Sequence, residues 1–349
     1  MKRYGWLFEK AFTKENINLA ITKASKGKRK RKIVQKILND REFYVDEIYN
    51  MIWNGKFKPY PYVKSEIVDG ISGKHRVLSK PRFYPDHIVH WCIYLVLYPI
   101  LTKSLIHNTC ASIKGRGQVY GKNICQKKLA NKKKTKYFLK IDIKKYYPSV
   151  NNEKLMEMLK RKIKDYKLLN LIQEILNLDD GLPIGMILSQ LFANYYLYQL
   201  DHNYDKHTYI RYADDICIFA ESKRSLHSLR YRLMQELEEL DLSIKSNWQI
   251  YKTDKEMLDF MGYRMNHVKT IMRKKIMYRF TRRIIRYNKN KSYRNACAII
   301  SYMGWVKNSD SWIFYHERVR PNVDFIELKK TIRKGKNENI QKRIQFNPC

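Results

Sequence analysis

The chain has 349 residues, of which 70 are Lys or Arg and 33 are Asp or Glu, so its formal net charge is +37. This length can bury a substantial core and suggests two or three lobes. The charge indicates a polyanionic partner, and nucleic acid has the matching charge density. The longest apolar stretch, 91–101, is shorter than the roughly 20 residues that span a bilayer, which argues against a membrane protein.

The N-terminal 50 residues have a helical and basic pattern. Met1–Gly5 lack the apolar segment of a signal peptide, so we expect a cytoplasmic protein. The run 26–32 places six positive charges in seven positions. Such a run is either a solvated face or a phosphate contact, and both interpretations stay open.

A second basic run, 127–136, leads directly into a β-prone segment, 137–143, whose sixth residue is Asp142. Further along, Tyr212-Ala213-Asp214-Asp215 separates two short apolar runs, which predicts a β-hairpin with adjacent carboxylates at its tip. Paired acids at a turn are usually solvated turn formers, as we expect for Asp179-Asp180. Flanking strands and a separate strand-borne Asp favour a site for two Mg²⁺ ions, with Mn²⁺ as a substitute.

Helical patterns occupy 153–164, 167–177 and the leucine stripe 226–240. Strands and helices therefore alternate as in an α+β protein. Segment 273–294 carries ten basic residues and no acid. Its cations are suited to phosphates, whereas its four aromatic side chains are expected to be mostly core. The six cysteines form no C-x-x-C pair, so neither zinc nor a disulfide is expected, and Cys217 is predicted to be buried in a strand.

A family resemblance follows from these motifs. Segment 138–150 resembles the first catalytic palm motif of bacterial reverse transcriptases, and Tyr-Ala-Asp-Asp is similar to their second. Most of these enzymes have Gln-Gly-x-x-x-Ser-Pro between the two motifs, whereas this chain has Ile184-Gly185-x-x-x-Ser189-Gln190. That variant resembles the reverse transcriptases of diversity-generating retroelements. The similarity runs from about residue 45 to about residue 315.

The resemblance implies an α+β right-hand polymerase fold, with fingers, a palm built of an antiparallel sheet backed by helices, and a short helical thumb. The implied domains are a basic helical N-terminal extension (1–50), the fingers (51–136), the palm with part of the fingers inserted between its first two catalytic motifs (137–270), and a basic thumb with the C-terminal tail (271–349).

The resemblance also implies the site residues. Asp142, Asp214 and Asp215 would be catalytic and, with the Ile143 carbonyl, would bind the metal ions. The implied nucleotide-binding residues are Lys74, Arg76, Tyr147, Ile184, Gly185, Gln190 and Lys245. The implied primer grip is Met261, Gly262 and Tyr263. The implied nucleic-acid contacts are Arg116, Arg273, Lys274, Lys275, Arg282, Arg283 and Arg286.

The implied function is RNA-directed DNA synthesis, error-prone at adenines, which diversifies a target gene. Ile184 supports low fidelity because an aliphatic residue lacks the hydrogen bond of the usual Gln. The implied partners are template RNA, a primer or cDNA strand, deoxynucleotides and a small basic helical accessory protein that forms a homopentamer. A retron, group II intron or phage-defence reverse transcriptase remains an alternative, as does an inactive RNA-binding scaffold. No segment resembles an RNase H, zinc-finger endonuclease or integrase domain.

Overall fold

A computed structural model describes residues 2–68 and 75–345. The chain forms two compact units, each built from separate stretches. The first unit comprises Met1–Lys114, Lys140–Ile218 and Arg224–Gln249, and the second comprises Gly115–Leu139, Phe219–Lys223 and Ile250–Cys349. This division does not test the predicted domain boundaries, which remain a prediction.

Helices make up most of the first unit. They are α1 (Leu7–Ala11), α2 (Lys14–Ser25), α3 (Lys32–Asn39), α4 (Arg41–Trp53), α5 (Ile88–Thr102), α7 (Asn152–Lys162), α8 (Tyr166–Leu176), α9 (Ile187–Tyr196), α10 (Tyr198–Tyr204) and α11 (Lys223–Glu238, whose first residue is assigned to the second unit). The predicted helices over 1–50, 153–164, 167–177 and 226–240 are confirmed within a few residues.

Local capping explains several of these helix boundaries. The side chains of Thr13, Asn151 and Asp165 accept hydrogen bonds from the first-turn amides of α2, α7 and α8, which would otherwise have no partner. Helix α5 packs against α2 and α9. Most of its apolar side chains are buried there.

Two sheets contribute to the first unit, although parts of three strands in the larger one, 137–139, 219–220 and 250–252, are assigned to the second unit. A hairpin pairs β1 (Val63–Val68) with β2 (His75–Lys80) in antiparallel register. A five-stranded sheet has the order β3-β5-β6-β4-β7. Its strands are β3 (Thr109–Cys110), β4 (Tyr137–Asp142), β5 (Thr208–Tyr212), β6 (Asp215–Ala220) and β7 (Gln249–Lys252). The β3–β5 pair is parallel, so one edge departs from the predicted antiparallel sheet.

The second unit contains α6 (Gln118–Leu129), a small antiparallel sheet and a helical segment. The sheet has the order β10-β9-β8, with strands β8 (Leu258–Phe260), β9 (Tyr263–Met265) and β10 (Thr270–Met272). The helices that follow are α12 (Lys274–Lys289), α13 (Tyr293–Lys307), α14 (Trp312–Phe314) and α15 (Phe325–Gln345).

The aromatic residues of the basic segment divide between core and surface. Phe280 and Tyr287 are fully buried in the cluster that joins α12 to its neighbours. Tyr278 is 63% exposed and Tyr293 is 39% exposed. The expectation that these four rings are mostly core is met by two of them. Tyr278 is exposed on α12, whereas Tyr293 is partly exposed and packs against Gly335 of α15.

Cys217 is fully buried in β6, as predicted. Among the described residues, no disulfide bond joins Cys92, Cys110, Cys125, Cys217 or Cys297. Over the residues that the structure describes, we find no helix with the length and apolar character needed to cross a bilayer.

Candidate active site

The paired carboxylates lie at a tight turn between two buried strands. β5 ends at Tyr212 and β6 begins at Asp215, so Ala213 and Asp214 form a two-residue connection. A connection this short joins antiparallel strands. Ala213 has a φ of 54°, in the left-handed region that residues other than Gly and Asn rarely adopt. The turn therefore presents adjacent carboxylates at the end of the hairpin, as predicted.

The third carboxylate comes from the neighbouring strand. Asp142 is the last residue of β4, and β4 lies next to β6 in the sheet. The amide of Ile143 donates a hydrogen bond to the carbonyl of Asp214 at 3.2 Å. This bond joins the two segments at the level of their acids, although 72 positions separate them along the sequence.

Two lysines lie against these acids. The ammonium group of Lys245 forms an ion pair with Oδ1 of Asp142, and that of Lys140 lies 3.8 Å from Oδ1 of Asp215. Lys245 is held in place because its amide donates to the Asp142 carbonyl at 2.9 Å. Lys245 was predicted to act near a triphosphate, and the structure places it beside a predicted metal ligand.

The donor set has the chemistry of a Mg²⁺ site, since carboxylate and carbonyl oxygens are the ligands that hard cations take. Within residues 2–68 and 75–345, no three His, Cys, Asp or Glu side chains converge as a ready-made metal cluster. Divalent ions would compete with the ammonium groups of Lys140 and Lys245 for the carboxylates. The donor atoms that these residues supply are nevertheless of the type that such ions bind.

Tyr147 begins a short 3₁₀ turn, Tyr147–Ser149, after β4. Burial raises the pKa of its phenol, and the charge of Asp214 raises that pKa further. The ring is partly buried and within electrostatic reach of the Tyr-Ala-Asp-Asp turn. Gly181 lies against the backbone of this 3₁₀ turn. It has a φ of 66°, and a Cβ atom there would lie 2.5 Å from the Pro148 carbonyl oxygen. Only glycine allows this close approach.

The loop with the unusual Ile-Gly pair contacts the β1–β2 hairpin. The Ser79 amide donates to the Ile184 carbonyl at 3.0 Å. Gly185 has a φ of 120°, and a Cβ atom there would lie 3.2 Å from the Ser79 carbonyl oxygen. The side chain of Ile184 is half-buried, whereas Gln190 is exposed on α9.

The same hairpin carries one of the two predicted triphosphate ligands. Arg76 lies opposite Ile67 in the register of β1 and β2. The other predicted ligand, Lys74, lies outside the described residues.

The acids at 179 and 180 are not both solvated, in contrast to the expectation. Asp179 accepts hydrogen bonds from the Ser79 hydroxyl at 3.0 Å and the Lys64 ammonium at 3.1 Å. Its carboxylate therefore fixes the β1–β2 hairpin to the loop before α9. Asp180 is exposed.

The family model for reverse transcriptase (RNA-dependent DNA polymerase) matches residues 66–265, which contain all of these acids. The chain belongs to the reverse transcriptase family. It is 26% identical over 189 residues to the retron Ec73 reverse transcriptase of Escherichia coli, an alignment that covers 49% of this chain and 58% of that relative.

Among solved structures, apo telomerase from Candida tropicalis matches with a TM-score of 0.50 and 13% identity, over 86% of this chain and 63% of that one. Telomerase from Candida albicans, solved with a fragment of telomeric RNA, matches with a TM-score of 0.48 and 12% identity, over 87% of this chain and 64% of that one. The chain thus spans about three fifths of these proteins. The predicted right-hand polymerase fold is confirmed.

In the second unit of this reverse transcriptase, the predicted primer grip is a two-residue turn between β8 and β9. Met261 and Gly262 have φ angles of 52° and 86°, as such hairpin connections require. A Cβ atom on Gly262 would lie 2.6 Å from the Trp305 ring, and the ring of Tyr263 lies 4.9 Å from it. Trp305 of α13 therefore fixes the conformation of this turn.

The predicted nucleic-acid contacts fall into two groups. Lys274, Lys275, Arg282 and Arg286 are exposed along α12. In contrast, Arg273 is bonded to Asp259 at 2.6 Å and Arg283 to Asn295 at 2.8 Å, so both have structural partners within their own unit. Arg116 lies just before α6 and is partly exposed.

Sequence reasoning missed Lys140, Asp179 and the fully buried Arg211. Arg211 did carry a signal, because a cation inside a strand of buried apolar residues needs a buried acid as its partner. The sequence did not reveal which acid pairs with it.

Proposed function

We propose that this protein is an RNA-directed DNA polymerase that copies a template RNA into cDNA. The observation that supports it most directly is the backbone hydrogen bond from Ile143 to Asp214. It places the end of β4 beside the Tyr-Ala-Asp-Asp turn, inside the segment that matches the reverse transcriptase family. An inactive scaffold would have no need to keep three carboxylates and two lysines together.

In this proposal Asp142, Asp214 and the Ile143 carbonyl would hold two divalent ions, and Asp215 would support one of them. When bound, Mg²⁺ or Mn²⁺ stabilises the attacking 3′-hydroxyl and the leaving pyrophosphate. The protein contributes positioning and electrostatic stabilisation, because phosphoryl transfer needs little covalent chemistry from it. Before substrate arrives, Lys140 and Lys245 balance the repulsion between the carboxylates.

We infer that the substrate is a deoxynucleotide, since the ring of Tyr147, in the short turn that follows β4, would exclude a 2′-hydroxyl. In this proposal Lys74 and Arg76 bind its triphosphate. Lys245, already beside Asp142, donates a proton to the departing pyrophosphate. In this proposal Gly185 and Gln190 also contact the incoming nucleotide.

Template binding should depend steeply on salt. If the four exposed cations of α12 contact phosphates, each contact releases counterions, and the log–log slope of affinity against salt should be about −3 or steeper for single-stranded RNA. Fluorescence anisotropy with labelled RNA at several salt concentrations measures this slope. Replacing Lys274, Lys275, Arg282 and Arg286 with Gln should move the slope about three units toward zero. An unchanged slope would show that these cations of α12 do not contact the RNA phosphates.

We further propose that synthesis is error-prone at adenines and serves a diversity-generating retroelement, with a small basic helical accessory protein as partner. Ile184 supports this proposal. Its carbonyl is bonded to Ser79, and its half-buried side chain has no hydrogen-bonding group. A polar contact to the nascent base pair is worth about 1–3 kcal/mol, so its loss allows a tenfold or larger rise in misincorporation.

Ile184→Gln should therefore copy RNA with about tenfold fewer errors, most visibly opposite adenine, while the yield changes less. Sequencing of cDNA made by both proteins on one template measures the error rates. Ile313→Gln is the matched control, because it makes the same change at a side chain that is 75% exposed. Equal error spectra for wild type and Ile184→Gln would assign any infidelity to other residues.

A retron-type reverse transcriptase is the second candidate, and the Escherichia coli relative favours it. The two candidates predict different products in cells. A retroelement enzyme should give cDNA with substitutions at template adenines, whereas the second candidate should give a faithful copy of a fixed RNA. Sequencing the cDNA that accumulates with the active protein, but not with an Asp142→Asn variant, separates them.

A further inference from the structure

A fully buried carboxylate lies beneath the hairpin that carries the catalytic turn. Asp201 on α10 is 0% exposed, and its two oxygens accept four hydrogen bonds. Oδ1 accepts from the Tyr209 hydroxyl at 2.6 Å and from Nε of Arg211 at 2.7 Å. Oδ2 accepts from the Thr109 hydroxyl and from Nη2 of Arg211, both at 2.6 Å. The charge is thus paired and fully solvated by protein groups, as burial requires.

The guanidinium of Arg211 uses all of its N–H groups. Besides the two bonds to Asp201, Nη2 donates to the Asn194 carbonyl at 3.2 Å and Nη1 to the Asn194 side chain at 3.3 Å. The remaining N–H of Nη1 donates to the carbonyl of Ala213 at 2.9 Å. Arginine alone offers five donors in one rigid plane, so no other side chain could make this set.

The bond to Ala213 connects this network to the catalytic turn. Ala213 has the left-handed conformation that an alanine avoids, and its amide is held from the other side by the Cys110 carbonyl at 3.3 Å. The next residue is Asp214. A turn without these bonds would relax toward ordinary backbone angles and move the carboxylates.

We propose that Arg211, oriented by Asp201, is a positioning residue that holds Ala213 in its left-handed conformation and thereby aims Asp214 at the metal ions. Neither side chain touches substrate, and both act through the backbone of the turn. The assignment rests on the polymerase function proposed above. It predicts that breaking this bond loosens the turn locally and impairs the chemical step more than nucleic-acid binding.

The test is an Asp201→Asn/Arg211→Met double variant, which removes both buried charges together and avoids an unpaired one. Hydrogen–deuterium exchange reports on the turn without requiring activity. The amides of Ala213 and Ile143, which bond to Cys110 and Asp214, should exchange at least about tenfold faster, while those of α12 stay unchanged.

Kinetics give the second readout of the same variant. The kcat for Mg²⁺-dependent extension should fall at least about tenfold, because misplaced ligands slow the chemical step. The Mg²⁺ concentration for half-maximal rate should rise several-fold, with primer–template affinity unchanged. Thr109→Val is the control, because it removes one donor to Asp201 and leaves the Arg211–Ala213 bond intact. It should lower the melting temperature without changing exchange at the turn or the Mg²⁺ dependence.

Wild-type exchange and Mg²⁺ dependence in a folded double variant would overturn the assignment. If the double variant does not fold, Arg211→Lys decides, since it keeps the charge opposite Asp201 but lacks the planar fork that reaches Ala213. Wild-type behaviour of Arg211→Lys would equally overturn it. The two proposals can fail separately. If the wild-type protein makes no cDNA, the polymerase function is overturned. If the double variant still shows faster exchange at the turn in that case, the positioning role is supported.

Discussion

Asp214→Asn should abolish Mg²⁺-dependent cDNA synthesis while leaving RNA affinity nearly unchanged. The substitution keeps the shape of the side chain and removes the negative charge that we propose binds metal. The loss of one such electrostatic contact costs at least about 10²-fold in kcat. The turn itself should persist, because its backbone bonds to Ile143 and Arg211 do not use the carboxylate. Primer extension and RNA binding of the same preparation measure the two effects.

Asp180→Asn is the matched control for this experiment. It makes the same chemical change at an exposed acid. Its extension rate should equal that of the wild type. Activity above about a tenth of the wild-type rate in Asp214→Asn would be incompatible with a bridging metal ligand, for which a 10²-fold loss is expected.

Tyr147→Ala should admit ribonucleotides. Without the ring, nothing from this position would exclude a 2′-hydroxyl. Discrimination against ribonucleotides should then fall by about 10²-fold, the scale on which a pocket rejects an added hydroxyl. Competing incorporation of dNTP and rNTP on one template measures the ratio of kcat/KM values.

Tyr147→Phe distinguishes the effect of the ring from the effect of its hydroxyl group. The variant keeps the bulk of the side chain, so discrimination should stay within a few-fold of wild type. If Tyr147→Ala discriminates as well as the wild type does, steric exclusion lies elsewhere, and the preference for deoxynucleotides loses its structural basis.

Features that depend on local pattern could be predicted from the sequence. The leucine stripe of α11 and the apolar strands around the Tyr-Ala-Asp-Asp turn follow from side-chain periodicity, and the structure has both. The ligand needs of a site for two Mg²⁺ ions predict that Asp142 lies near Asp214, and the family resemblance implies the same. Periodicity alone does not specify which strands become neighbours.

Features that depend on distant partners could not be predicted. The partners of Asp179, Ser79 and Lys64, are distant from it in the sequence. The residues next to Asp179 therefore indicate only a solvated turn. The basic residues of α12 look alike in sequence, yet Arg283 is bonded to Asn295 while Arg282 is exposed. Tertiary packing decides which cations remain available to phosphates, and a count of charges cannot reveal it.

Polymerase activity can be measured by extension of a DNA primer annealed to an RNA template by the purified wild-type protein. We expect cDNA synthesis that requires Mg²⁺ or Mn²⁺, uses deoxynucleotides and disappears in Asp142→Asn, with RNA binding retained in that variant. A folded wild-type protein that binds the primer–template but extends it with neither ion would not be an RNA-directed DNA polymerase. Extension that survives in Asp142→Asn would show that Asp142 is not a catalytic metal ligand.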